Sequence, residues 1–306
     1  MCGISGIINL KNNPIKNIES KIDMMTRLLE HRGPDYSGKY INPNRSFGLS
    51  NNRLSIVSPK EKIALPFSAD NINYLSFNGE IYNYPEIKKK LLKQGIKFHS
   101  NTDTEVFWNY LKLLNRGKGS FNKLNGMWTY AFYNQKEHKL FLGRDLIGER
   151  HIFYYVESDN LYFSSEVKPI IYASNKKHKF DDLSLVEAWR YNSCSNGRTL
   201  IKNIYKLEPG CCLKIFKSKM IKERNQEIEL TKWINFFKKE KSEKKVFSVF
   251  KKMIRNEVFH RTPKDVNFFT TLSGGIDSTI IASSLTRKKK KIKTIYAYSS
   301  KKQFKK

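Results

Sequence analysis

Over roughly the first 190 residues, short apolar runs of Ile, Phe, Tyr, Val and Leu are separated by Gly, Asn and Asp, the spacing of strands broken by turns. Runs at 3–9, 46–56, 72–78, 127–134, 139–144, 152–157 and 161–165 are predicted as strands. The period changes at 18–29, 84–93 and 104–115, where apolar residues recur at helical spacing, and Thr102 or Asp103 can cap the last helix. Strands, then helices, then more strands predict a layered α+β domain. From 208 to 235 the chain turns to short charged pieces, and 236–245 is nearly all charge and aromatics, which reads as a linker. Beyond it the pattern predicts a helix at 246–259, a strand at 266–272, a glycine turn, a helix at 278–287 and a strand at 292–298. That is the opening βαβ of a parallel sheet with a nucleotide-type turn. The expected division is therefore 2–208, a linker at 209–245 and an incomplete second domain at 246–306. Some 60 residues do not complete such a sheet, so the expectation is a truncated frame, a fragment or half of a split enzyme.

Composition changes this picture little. The chain has 306 residues, 39% of them hydrophobic and 13% aromatic, enough for a sizeable core and too many for a disordered chain. A net charge of +29 suggests nucleic acid, but the lysines are scattered along every segment instead of clustering. A solvated basic surface is the expectation, with no nucleic-acid partner. Cys2, Cys194, Cys211 and Cys212 show no metal-type spacing, and a reduced, cytoplasmic setting is expected. The start lacks a basic leader followed by an apolar core, and no apolar run is long enough to span a bilayer.

The candidate chemistry begins at Cys2. If Met1 is removed, Cys2 carries both a thiol and the free α-amine. Reference pKa values of ~8.5 for the thiol and ~7.7–8.0 for the amine make the amine a competent base near neutrality, so no separate His is needed. A small buried hydrophobe opening a strand is the plainer reading of a lone Cys, but its neighbours weigh against it. His31-Arg32-Gly33-Pro34-Asp35 closes a helix in a forced turn, and Arg53-Leu54-Ser55-Ile56-Val57 offers a fork-shaped cation suited to a carboxylate. Asn78 and Gly79, at the end of a strand, can aim an amide and a backbone N–H at a developing oxyanion. Glu80 and Asp103 supply charge for a substrate ammonium. Taken singly, Arg53 reads as a surface charge, Asn78-Gly79 as a hairpin turn and Asp103 as a helix cap. Farther on, Leu272-Ser273-Gly274-Gly275-Ile276-Asp277-Ser278 lacks the Gly-Lys-Ser/Thr of a Walker loop, yet its glycines and helix N-terminus suit phosphate.

In this order the residues resemble the class II, N-terminal-nucleophile glutamine amidotransferases, and within them the glutamine-hydrolysing asparagine synthetases. Further matches are Leu124-Asn125-Gly126-Met127-Trp128, Gly143-Arg144-Asp145, Phe163-Ser164-Ser165-Glu166-Val167-Lys168 and Leu207-Glu208-Pro209-Gly210. The resemblance implies a four-layer αββα amidotransferase domain followed by an α/β ATP-pyrophosphatase domain. It implies that Cys2 forms a glutamyl thioester, with Asn78 and Gly79 as the oxyanion hole. Arg53 would bind the α-carboxylate and Glu80 and Asp103 the α-amine, with Leu54, Ser55, Ile56 and Val57 completing the glutamine site. It further implies ATP held by Leu272, Ser273, Gly274, Gly275, Asp277, Ser278 and Ala297, with Mg2+ as a cofactor for which Asp277 is a candidate. L-glutamine, ATP and aspartate are the implied substrates. A sugar acid or other carboxylate acceptor, or an inactive fragment needing a partner, is the alternative; a homodimer or a separate C-terminal half is the expected partner. Departures stand at Ser50-Asn51-Asn52 in place of Gly-His-x, Ser58 in place of Asp, Leu65-Pro66 in place of Gln-Pro and His151-Ile152 in place of Pro-Leu.

Overall fold

The computed structural model describes residues 1–286 and 292–296, and the chain divides into two units, 1–228 and 229–306. The first unit opens with β1 (Gly3–Asn9), α1 (Ile18–Arg27), β2 (Tyr36–Ile41), β3 (Phe47–Arg53) and β4 (Asn73–Ile81). Two helices, α2 (Tyr84–Lys93) and α3 (Asp103–Asn115), precede β5 (Gly126–Asn134), β6 (Lys139–Arg144), β7 (Phe153–Glu157) and β8 (Asn160–Ser164). Helices α4 (Val167–Ala173) and α5 (Asp182–Tyr191) and strands β9 (Tyr205–Lys206), β10 (Cys211–Phe216) and β11 (Lys219–Arg224) complete it.

The strands form two antiparallel sheets, ordered β2-β3-β1-β8-β7-β9 and β11-β10-β6-β5-β4. Strand alternation explains why they stack. On β5, Ala131 and Tyr133 point into a core shared with Ile4 and Ile8 of β1 and Leu161 and Phe163 of β8. The intervening Trp128, Tyr130 and Phe132 face the other way, onto Val106, Phe107 and Leu111 of α3 and Ile87 and Leu91 of α2. Ile7 and Tyr162 likewise face out from the first sheet, onto Ile18, Ile22 and Met25 of α1 and Ile170 of α4. Three apolar layers thus separate four structural ones, in the order helices, sheet, sheet, helices. This is the αββα arrangement that the resemblance implies.

Helix α3 begins one residue before its expected start. Thr102 caps it through Glu105 N (3.4 Å), leaving Asp103 in the first turn, turned toward β4. The linker reading of 209–245 is corrected: β10 pairs with β6, and Cys211, Leu213 and Ile215 fill the inter-sheet core. Charged residues dominate the following strand, and they belong to β11, whose residues are all exposed; a charge run at a sheet edge looks like a loop in sequence.

In the second unit, α6 (Thr231–Lys239) and α7 (Glu243–His260) precede β12 (Thr270–Thr271), α8 (Ile276–Thr286) and β13 (Thr294–Ile295). The two strands pair in parallel across α8, as the expected βαβ requires, though only over two residues each instead of the longer runs predicted. Among the described residues of this unit, Leu285 is the only buried hydrophobic side chain, so the pair lacks the double-sided cover that parallel strands normally have. Ala297 and the final residues of the predicted strand lie outside the described residues.

Candidate functional site

Cys2 sits at the mouth of the cleft between the sheets because β1, which it precedes, is flanked by β3 and β8. The turn after β3 wraps the thiol: Sγ accepts from Leu54 N (3.4 Å) and donates to Leu54 O (3.8 Å). That turn is held in its place by the segment after α1. Asp35 N donates to Arg53 O (3.2 Å), and Asp35 Oδ2 accepts from Ser55 N (2.6 Å). Gly33 permits the approach, since a Cβ there would lie 2.4 Å from the carbonyl carbon of Asn52. Arg32 Nε donates to Cys2 O (3.0 Å), and its Nη1 is paired with Glu166 (3.0 Å), which also meets His31 (2.9 Å). His31, Arg32 and Asp35 therefore fix the main chain on either side of the thiol.

A cavity of about 100 Å³ opens beside the thiol. It is far smaller than the sites that take drug-sized ligands. Cys2, Arg53, Leu54, Ile56, Val57, Asn78, Gly79, Glu80 and Asp103 all line it. Of the glutamine-site residues read from sequence, Ser55 alone is not on its wall; its backbone serves Asp35 instead. Gly79 lies flat against β5, where a Cβ would come within 2.1 Å of Met127 O, so only glycine fits that register. Asn78 is 1% exposed and its Nδ2 has no hydrogen-bond partner among the described residues. A buried amide left unpaired costs about 1–3 kcal/mol, which marks a donor kept for something that comes and goes.

Arg53 is buried in the cavity wall, with Nη2 on Val57 O (3.0 Å) and Nη1 on Glu61 O (3.3 Å) and the Tyr36 hydroxyl. Asp103 is buried opposite, accepting from Ile81 N (3.2 Å), and burial raises its carboxyl to about 6 against the pull of Ile81 N–H and Arg53. Burial also pushes the Cys2 thiol up, opposed by the Leu54 N–H and the amino terminus. Burial and the cations of Arg32 and Arg150 draw the amino terminus, here Met1, below its ordinary value, partly offset by Cys2 and Asp35.

Sequence reasoning missed several lining residues, among them Asn51 and Arg150. Asn51, which stands where the resemblance leads one to expect His, bridges the sheets: Nδ2 donates to Gly3 O (3.1 Å) and Oδ1 accepts from Phe77 N (3.1 Å). Arg150 reaches the cavity from the loop after β6, and only the neighbouring Gly143-Arg144-Asp145 run signalled that loop.

Residues 1–226 match the glutamine amidotransferase domain family. The chain belongs to that family. Residues 250–305 match the asparagine synthase family. The putative asparagine synthetase [glutamine-hydrolyzing] 2 of Methanocaldococcus jannaschii is 32% identical over 92% of this chain and 56% of its own length. Asparagine synthetase [glutamine-hydrolyzing] 1 of Bacillus subtilis is 30% identical over 92% of this chain and 43% of its own. The chain thus spans about half the length of the curated relatives it matches. Among solved structures, a glutamine phosphoribosylpyrophosphate amidotransferase from B. subtilis superposes with a TM-score of 0.54 at 15% identity, over 99% of this chain and 70% of that one, a likeness of fold.

The second candidate site is the loop between β12 and α8 of the asparagine synthase segment. Ser273, Gly274, Gly275 and Asp277 are exposed there and Ser278 is half-buried. Gly274 has φ +82°, a left-handed conformation that glycine adopts freely, and Ser273 Oγ meets Ser278 Oγ at 3.1 Å. Leu272 N donates to Ile295 O (3.0 Å), anchoring the loop to β13. Two hydroxyls and a helix N-terminus form a donor set that fits phosphate. Among the described residues no cluster of three or more metal-ligating side chains occurs, and Asp277 alone does not make a magnesium site. No helix among the described residues is long and apolar enough to cross a membrane.

Proposed function

We propose that this chain hydrolyses L-glutamine to glutamate and ammonia through a thioester on Cys2, and that the ammonia serves ATP-dependent amidation of aspartate. The observation that carries the first half is the convergence of Cys2, the unpaired Asn78 amide, Arg53 and Asp103 on one small cavity. The second half rests on the asparagine synthase segment and the names of the relatives.

In the processed chain the α-amine of Cys2 takes the thiol proton as Sγ attacks the amide carbon of the glutamine side chain. Negative charge collects on the former carbonyl oxygen, where Asn78 Nδ2 and the Gly79 N–H stabilise it. As the C–N bond breaks, the amine returns its proton to the departing nitrogen, and ammonia leaves. Water then adds to the thioester by the same route and frees glutamate with the thiol restored. Arg53 receives the α-carboxylate, and Asp103 with Glu80 the α-ammonium. The serine-glycine loop at 273–278 would hold the phosphates of ATP, whose role is to activate the acceptor carboxylate.

Asp103 gives this reading a pH signature. Its raised carboxyl binds protons in the folded chain that the unfolded chain has already released, so the empty chain loses stability as pH rises from about 4 to about 6. A bound ammonium favours the ionised form and reverses that trend. The thermal shift produced by saturating glutamine is expected to grow between pH 5 and 7, and Asp103→Asn to flatten it while raising KM on the order of ten- to a hundredfold, as expected for a lost charge-assisted bond. A glutamine-induced shift that Asp103→Asn leaves unchanged would contradict the assignment.

A further inference from the structure

The proposed glutamine chemistry leaves the Gly143-Arg144-Asp145 run without a task, yet that run builds one loop with unusual completeness. Asp145 is buried, and its Oδ1 accepts from the N–H groups of Ile147 (3.1 Å), Gly148 (2.6 Å) and Glu149 (3.0 Å). Its Oδ2 takes Arg150 N (3.2 Å) together with Trp128 N (3.3 Å) of β5. Arg144 closes the other side: Nε donates to Arg150 O (2.6 Å), Nη2 to Gly148 O (2.5 Å) and Nη1 to Leu207 O (2.6 Å). His151 fits this loop because its Nδ1 accepts from Arg144 Nη2 (2.8 Å), while burial and the Arg144 cation lower its pKa and keep it neutral.

Both main-chain groups of Arg150 are thereby clamped, and the side chain points into the cavity that holds Cys2. Its Nη1 stands 3.1 Å from Met1 Sδ, and its Nε is buried with no partner among the described residues. That contact goes when Met1 is removed, and what the clamped loop then still delivers is a guanidinium in the wall of the cavity that Cys2 also lines. We propose that Arg150 is a positioning residue for the nucleophile, its cation held in the wall of the cavity that Cys2 lines so that, once Met1 is removed, the Cys2 amine stays neutral and able to accept the thiol proton.

The proposal rests on the reading of Cys2 as nucleophile. The charged and titratable groups that face this point are Cys2, Arg32 and Asp35 around the amine, and Arg53, Asp103 and Glu80 across the cavity. Arg32 is tied to Glu166, which offsets its charge, whereas Arg150 has no carboxylate ion partner among the described pairs. A cation in the wall of the cavity where the processed amine and thiol stand disfavours the ammonium and favours the thiolate, so both lose their protons at lower pH.

The test uses the full chain carrying Arg150→Met or Arg150→Lys, with removal of Met1 checked by intact mass. Two profiles are recorded against pH: kcat for glutamate release at saturating glutamine, and the rate of Cys2 alkylation by iodoacetamide. For Arg150→Met the acid limbs of both are expected to move up by roughly one pH unit. Activity at pH 6.5 then falls about tenfold, while activity near pH 9 stays within about twofold of wild type and shows that the variant is folded. Lysine restores most of the shift. An equal loss at every pH, or a lysine variant no better than methionine, overturns the proposal. If the wild-type chain releases no glutamate but its alkylation profile shifts as described, Arg150 keeps its role and the glutamine reading fails. If the wild type hydrolyses glutamine and neither profile shifts, the Arg150 proposal alone fails.

Discussion

Cys2→Ala should lower glutamate release from glutamine by at least about a thousandfold, the scale on which removing a covalent nucleophile disables such enzymes. Thermal stability should change little, because the two hydrogen-bond contacts of its sulfur run to one residue, Leu54, and only one small atom is lost. No other cysteine can take over: Cys211 and Cys212 lie on β10 and Cys194 beyond α5, and none of them lines the cavity. Cys194→Ala is therefore expected to leave the rate unchanged. In the proposed mechanism the base as well as the nucleophile resides in the first residue of the processed chain, so a chain kept one residue longer should fail too. Inserting a residue that blocks Met1 removal retains the thiol but moves the amine away from it. Glutamate release measured with the two chains side by side separates the thiol's contribution from the amine's.

Asn78→Ala carries the second largest effect. Loss of one oxyanion donor costs on the order of 10²–10³ in kcat, with KM much less altered because the donor meets charge that appears only as the thioester forms. Stability gives an independent check, and its sign is informative. If the Asn78 amide served the fold, its removal would destabilise the chain. Its Nδ2 is instead buried without a partner, so truncation removes an unsatisfied group and should leave the melting temperature unchanged or slightly higher, the small cavity offsetting part of the gain. A large loss of both kcat and stability would make Asn78 a structural residue.

Much of this site was legible in the sequence because its parts occur in short contiguous runs. Each run maps onto one element: Cys2 before β1, Arg53 at the end of β3, Asn78 and Gly79 on β4, Asp103 at the start of α3. Alternation and helical spacing found β1, β5, α2 and their neighbours because each buries a full face. Strand β2 escaped because Ser37, Gly38 and Lys39 interrupt its apolar positions, and β10 escaped because charged β11 follows it. What no local pattern carries is long-range polar bridging. Asn51 links Gly3 to Phe77, and Arg150 meets Met1 across 149 positions of chain, so neither role shows in the residues flanking it. At the departure Ser50-Asn51-Asn52, Asn51 supplies a donor to one sheet and an acceptor to the other.

The proposed mechanism has Cys2, as the first residue of the processed chain, attack the side-chain carbonyl of glutamine. A glutamine analogue bearing an electrophilic ketone in place of the amide tests this directly, because it traps the attacking atom. After incubation and digestion, mass spectrometry of the N-terminal peptide is predicted to show one equivalent of analogue on Cys2 of a chain lacking Met1, with glutamine slowing the labelling in proportion to its occupancy. Labelling that falls on another residue, that proceeds equally with Met1 retained, or that glutamine does not slow would contradict the account.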